Sequence, residues 1–239
     1  MKKTIFVLSL IIGISSITIA QTADDIINKN IAAMGGLDKL NSIKTLYEED
    51  SINAGAAKFD VKVWMVNKKY QRVEFKVMGM TGFSILRTDS GWRYLPFQGQ
   101  KTPEPITSDE VKKSQDELYT TDHFVNYKEK GYKVSYQGKD ESEGSETYKL
   151  EVIISDSISA TYYIDPDTYY VTQVKMKVNV NGKTTDETLT FSDYQKTPEG
   201  YIVPMEKNVG MGDMKTYVVK INPTFDNAIF SPTVKIAGK

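Results

Sequence analysis

The sequence holds no cysteine and a single histidine, His123, among 239 residues. Without thiols there is no disulfide, no thiolate metal site and no cysteine nucleophile. With one imidazole, a two-histidine metal site is out of reach. A Ser-His-Asp arrangement would have to use His123, which stands in Thr120-Thr121-Asp122-His123-Phe124 with no nucleophile motif beside it. No phosphate-binding or dinucleotide glycine fingerprint occurs, and no spacing matches an oxygen-ligand calcium loop. Acidic neighbours such as Glu48-Glu49-Asp50 and Asp140-Glu141 are expected by chance in a chain with 31 acids, and paired-carboxylate chemistry needs a cleft as well. The sequence therefore assigns no catalytic residue, no metal and no cofactor. Arginine is scarce too, limited to Arg72, Arg87 and Arg93. With 30 basic against 31 acidic residues the formal charge is −1, which leaves no electrostatic footprint for nucleic acid.

Long apolar runs are equally few. The one present, Ile5 to Ile19, follows Met1-Lys2-Lys3 and closes with Ala20 before Gln21. That order is the basic, apolar and small-residue pattern of a signal peptide. The run is interrupted by Gly13, Ser15 and Ser16 and falls short of the roughly 20 apolar residues of a membrane span. Residues 1–20 are expected to be removed after Ala20, leaving 21–239 as one exported, soluble domain without a transmembrane segment. No cysteine stands at the cleavage site to carry a lipid anchor.

What is present is mostly period-two alternation. Phe59, Val61, Val63 and Met65 alternate with polar residues, as do Val73, Phe75 and Val77. Later runs follow the same rule: Tyr148, Leu150, Val152 and Ile154; Ile158, Ala160, Tyr162 and Ile164; Val174, Met176, Val178 and Val180. Leu189 with Phe191, then Tyr217, Val219 and Ile221, complete the set. Such runs read as half-buried antiparallel strands. Asn181-Gly182 and Asp165-Pro166-Asp167-Thr168 supply hairpin and turn chemistry, and Lys139 to Ser145 reads as a polar loop. Roughly a dozen strands joined in order would curl into a barrel or half-barrel rather than lie flat.

Helix signals are confined to two places. Thr22 and Asp25 have capping-box spacing, Ile27, Ile31 and Met34 recur at helical intervals, and Gly35-Gly36 ends the run. Leu37, Leu40 and Ile43 extend it by a further turn. Thr107-Ser108-Asp109-Glu110 begins a second helix, expected to reach about Tyr119, whose thin stripe is Val111 and Leu118. A movable cover and a plain surface connector are both open for it. Two short helical segments look insufficient to cover so broad a sheet, so part of its apolar face should form a lipid-sized hollow. The candidate cavity residues are Phe59, Val61, Val63, Met65, Val73, Phe75 and Val77 from the first half. Leu150, Val152, Tyr162, Val174, Met176 and Val178 come from the second. Met65, Met78, Met80 and Met176 are expected on that surface, where a flexible thioether suits ligands of variable shape.

The order of motifs resembles the LolA-like, outer-membrane lipoprotein-sorting superfamily over almost the whole mature chain. The resemblance rests on Ala32-Ala33-Met34-Gly35-Gly36, on the run from Val63 to Glu74, and on Ser90-Gly91-Trp92-Arg93-Tyr94. Further along it rests on Tyr163 to Thr168, Ser192-Asp193-Tyr194 with Gly200 to Pro204, Asn222-Pro223 and Phe230-Ser231-Pro232. The family implies a mainly β fold, an antiparallel incomplete β-barrel with a helical lid over an apolar cavity. It implies a monomeric periplasmic carrier of lipoprotein acyl chains or free lipid, served by an inner-membrane export complex and an outer-membrane acceptor. It also implies that Arg72 latches the lid when the cavity is empty. The chain departs from the carriers in its length and in carrying Lys68-Lys69 where many members have proline. A second reading on the same fold is an envelope-stress sensor or protein-interaction module that transports nothing.

Overall fold

Each alternating run of the sequence becomes a strand. The computed structural model describes residues 21–55, 57–141, 144–180 and 182–233. The signal-peptide segment, Asn181 of the expected Asn181-Gly182 turn and residues 142–143 of the polar loop lie outside the described residues. The first meander is β1 (Thr45–Ala54), β2 (Ala57–Val66), β3 (Tyr70–Val77), β4 (Met80–Arg87), β5 (Gly91–Tyr94) and β6 (Glu104–Pro105). The second is β7 (Lys133–Asp140), β8 (Thr147–Ser155), β9 (Ile158–Ile164), β10 (Val171–Val180), β11 (Lys183–Lys196), β12 (Ile202–Asn208) and β13 (Asp213–Ile221). All pairings are antiparallel, and β1 pairs with β13, so the two meanders join into one 13-stranded sheet with β6 and β7 at its edges. The sheet stays open; it is a half-barrel and not a closed one.

This topology dictates where the cover must lie. The chain leaves one edge at β6 and re-enters at the opposite edge, β7, so residues 106–132 have to cross a face of the sheet. They carry α3 (Ser108–Lys113) and a 3-10 turn, Gln115–Leu118. The capping box is formed, with Thr107 Oγ1 accepting from Glu110 N at 3.2 Å and Glu110 Oε2 accepting from Thr107 N at 2.9 Å. The helix ends six residues sooner than the spacing suggests. The Gln115 side chain donates to the Val111 carbonyl at 2.8 Å, taking the acceptor that the next helical N–H would use.

At the N-terminus, α1 (Ala23–Ala33) and α2 (Leu37–Asn41) sit as the spacing indicates. Thr22 and Asp25 form the reciprocal cap, and Asp24 and Asp25 place negative charge in the first turn, where the helix dipole favours it. Ile26, Ile27 and Ile31 press onto Leu150, Val152, Tyr162 and Val174, with Phe124 and Val125 from the cover beside them. Each isoleucine so buried contributes about 1.5–3 kcal/mol. At the β9–β10 turn Asp165 Oδ1 accepts from Asp167 N at 3.1 Å and Thr168 N at 2.7 Å.

Candidate functional site

Register shows which side chains share a face. Met65 lies opposite Leu46, and Leu46 opposite Ile221; Ile52 lies opposite Met214, and Met214 opposite Lys207, which faces Phe191. Val174 faces Leu189 and Tyr162, and Tyr162 faces Leu150. Followed through the alternation, all the candidate cavity positions fall on one face, the face that α1 and α3 cover. Their surroundings differ. Leu150, Val152, Tyr162 and Val174 are buried in the core beneath α1, so they fill that end. Val61 and Met65 are buried as well. Phe59, Val63, Val73, Phe75, Val77 and Val178 are half-buried and belong to neither cluster that the helices press on. Met176 is also half-buried, at the margin of the core under α1. Phe59, Val63, Val73, Phe75 and Val77 thus lie together on the neighbouring strands β2 and β3, while Val178 lies on β10, with β1, β13, β12 and β11 between.

Met80 faces Val77 across the β3–β4 pair and is exposed, whereas Met78 is not on that face. Met78-Gly79 is a two-residue hairpin loop with φ of 50° and 81°, the left-handed pair that a tight hairpin needs. Met78 is therefore 90 % exposed at the β3–β4 tip. Methionine is not a usual residue in that position, so no local pattern marked a turn there.

The cover is tied down at both ends. Val111 and Leu118 bury against Leu86 of β4 with Ile106 alongside. Lys68 N donates to Leu118 O at 2.8 Å, and Gln71 Nε2 donates to Glu117 O at 3.0 Å. On the other side His123 bridges the cover to β9, bonded through one ring nitrogen to Asp116 and through the other to the Tyr162 hydroxyl. Burial, with Asp122 and Asp116 nearby, pushes the Tyr162 hydroxyl well above the usual phenol range. It thus stays protonated in its contact with Nδ1, while Nε2 faces the Asp116 carboxylate. The lone histidine is placed as a clamp between lid and sheet.

Arg72 points to the opposite face. Its Nη1 donates to Ile229 O at 2.8 Å, its Nε and Nη2 donate to Glu74 Oε1, and its guanidinium lies 4.3 Å from the Phe83 ring centroid. Arg87 donates to Phe230 O at 2.7 Å. The two arginines thus hold the C-terminal 3-10 turn Asn227–Phe230, with Phe230 buried against Phe83 and Ile85. Arg72 does bond a carbonyl as a latch would, but the carbonyl belongs to this C-terminal strap and not to the helix of Val111 and Leu118. The same face carries a cavity of about 960 Å³ bordered by Trp64, Phe83 and Tyr94. Its charges cancel in neighbours: Lys62 with Glu49 at 3.6 Å, Arg72 with Glu74 at 2.7 Å, and Asp60 opposite Lys76. The Tyr47 hydroxyl donating to Glu49, helped by Lys62, holds that carboxyl below its usual value and so ionised. Of the candidate cavity residues only Val61 borders this space. Aromatic residues set among charges, such as Trp64, Tyr94 and Tyr217, were its signal in the sequence.

No protein-family model matches the chain, and no curated protein matches it. Solved structures do. A DUF1329 family protein from Desulfovibrio piger aligns with a TM-score of 0.56 at 15% identity, over 87% of this chain and 96% of that one. A LolA superfamily protein from Nitrosomonas europaea aligns at 0.54 and 10% identity, over 89% and 98%. The fold is LolA-like. A protein described as an outer membrane lipoprotein-sorting domain, from Vibrio parahaemolyticus, aligns at 0.50 and 15% identity, over 86% and 94%. These likenesses concern the fold and span nearly the full length of each neighbour. Among the described residues no helix is long and apolar enough to cross a membrane.

Proposed function

We propose that this protein is an exported periplasmic carrier that shelters the acyl chain of a lipoprotein or lipid on the helix-covered face of its half-barrel. One observation carries the reading. Phe59, Val63, Val73, Phe75, Val77 and Val178 share that face and remain half-buried outside the helix-packed core. Apolar side chains left part-exposed together on β2 and β3 mark a place where an apolar partner can sit. Each methylene moved from water onto it contributes about 0.8 kcal/mol. A chain of ~16 carbons that is half sheathed would gain roughly 6 kcal/mol, a micromolar-range contribution that still permits release. The LolA-like neighbours, one of them described as a lipoprotein-sorting domain, support the same assignment.

The test is saturable binding of a fluorescent fatty-acyl probe to the mature protein, with lipid extraction of the purified material. Val73→Glu and Phe75→Glu should each weaken binding at least ten-fold. Lys62→Ala, on the opposite face, should leave it unchanged. Absence of saturable binding together with a lipid-free extract would refute the carrier reading.

A further inference from the structure

A second cavity, of about 430 Å³, opens where the cover meets the β8–β9 hairpin, and its wall is dominated by four lysines: Lys68, Lys112, Lys113 and Lys130. They come from three separate segments, so the tertiary fold and not local sequence gathers them. Lys68 sits at the β2–β3 turn, Lys112 and Lys113 end α3, and Lys130 lies near the end of the crossing segment, just before β7. Two of them converge on one ring, with Lys130 Nζ 4.3 Å and Lys68 Nζ 5.7 Å from the Tyr119 centroid.

Among the described residues none of the four forms an ion pair within 4 Å. The one carboxylate on the wall, Asp116, is bonded to His123. Glu129 borders an adjoining space of about 230 Å³ that shares Lys68, Tyr119 and Lys130. Lys130 donates to the Asp122 carbonyl at 2.8 Å, a neutral partner. Its burial outweighs the opposing pull of the Asp122 and Asp116 carboxylates and, with Lys68 adding a smaller push, holds its ammonium below the usual lysine value. Four ammonium groups against the one wall carboxylate, Asp116, leave a positive excess that an added anion would offset. Lys68 adds a backbone cost, since its φ of 61° is a conformation that favours glycine or asparagine.

The floor of the cleft is apolar, formed by Leu118, Ile154 and Ile158. Ile158 is the cross-strand neighbour of Val178, one of the half-buried residues of the proposed acyl surface. Positive wall and greasy floor therefore meet beside Val178, on the helix-covered face.

We propose that this lysine cleft binds the anionic head of the cargo, a phosphate-bearing group on an acyl or alkyl chain whose tail runs onto the surface past Val178. The proposal rests on the carrier reading and names the class of amphiphile that the carrier takes. Lysine suits phosphate as a mobile point charge. The preference it confers should weaken with salt, because the cleft is partly open to solvent.

The test is displacement of a polarity-sensitive acyl dye from the mature protein by hexadecyl phosphate, by uncharged monopalmitoylglycerol and by inorganic phosphate. Hexadecyl phosphate should compete at least ten-fold better than monopalmitoylglycerol in 50 mM salt, with the margin shrinking in 500 mM salt. The exposed pair Lys112→Glu/Lys113→Glu should abolish the margin without altering monopalmitoylglycerol competition or the melting temperature. Lys68→Ala should reduce it. Equal competition by the two amphiphiles, or a margin untouched by the double variant, overturns the headgroup site while the carrier reading stands. Inorganic phosphate binding as tightly as hexadecyl phosphate would make it a free-anion site and overturn the amphiphile assignment. Failure of the dye to bind at all overturns the carrier reading and this proposal with it.

Discussion

Replacing Arg72 by methionine tests how the C-terminal strap is held. The side chain is 8% exposed and has three kinds of partner. Its bond to Ile229 O involves a charged donor, about 1.5–3 kcal/mol. Its stacking on Phe83 at 4.3 Å adds about 1 kcal/mol for a largely desolvated pair. The Glu74 pair adds about 1 kcal/mol at most, because Glu74 is 27% exposed and regains water when released. Methionine keeps the packing of the aliphatic stem, so the expected loss is about 3 kcal/mol, or roughly 6–12 °C in melting temperature for a chain of this size. Arg72→Lys should lose most of the same energy, since one ammonium cannot reproduce the planar fork. Arg87→Met releases the adjacent carbonyl, Phe230 O, so the two variants act on one strap. Their double variant should fall short of additivity by at least 1 kcal/mol. Urea denaturation gives the energies, and hydrogen exchange at the Ser231 amide, bonded to Ala228 O at 3.0 Å, reports strap release directly. A loss below 0.5 kcal/mol for Arg72→Met, or full additivity with Arg87→Met, would refute the account of the strap as one arginine-held unit.

Three further outcomes follow from other parts of the molecule. Burial, with Glu48 nearby, raises the Asp50 carboxyl pKa despite Lys207 and the Thr216 hydroxyl. The folded state thus holds its proton more tightly, and that stability is lost as pH rises from the usual carboxylate value through the raised one. Asp50→Asn keeps an acceptor for Thr216 and should melt higher than the wild type at pH 7, with the difference vanishing below about pH 4. Gly82→Ala would place a Cβ 2.6 Å from Tyr94 O and 2.9 Å from a Phe97 ring carbon, costing about 1–3 kcal/mol in a denaturation midpoint. Thr107→Ala removes the α3 cap and should cost about 1 kcal/mol, seen as faster exchange at the Val111 and Ser114 amides and not as a global midpoint shift of that size.

The strands were legible because their side chains face two different solvents. Val61, Val63 and Met65 alternate with Asp60, Lys62 and Trp64, and a face buried on one side leaves that imprint. The helix caps were legible for a local reason as well, since Thr22 with Asp25 and Thr107 with Glu110 are bonded within four residues. The alternation also grouped the candidate cavity positions on one face. It could not say which of them would be core, because Leu150 and Phe75 carry the same signal and only the seating of α1 separates them. Nor could it show Met78 as a hairpin tip, where two left-handed residues take the place of a familiar turn pair.

Local pattern by itself determined the strands, the caps, the lack of thiol and paired-histidine chemistry, and the amphipathic character of the sheet, since each follows from neighbours within a few residues. Tertiary structure decided the pairing of β1 with β13, which puts the two chain edges far apart in the sheet and forces residues 106–132 across it. From that crossing come the His123 clamp and the lysine cleft. Residues 68, 112, 113 and 130 meet only when segments distant in the chain fold onto one another, and Arg72 finds Ile229 for the same reason. Contacts at such separations depend on loop closure and sheet register, and no short stretch of sequence encodes either.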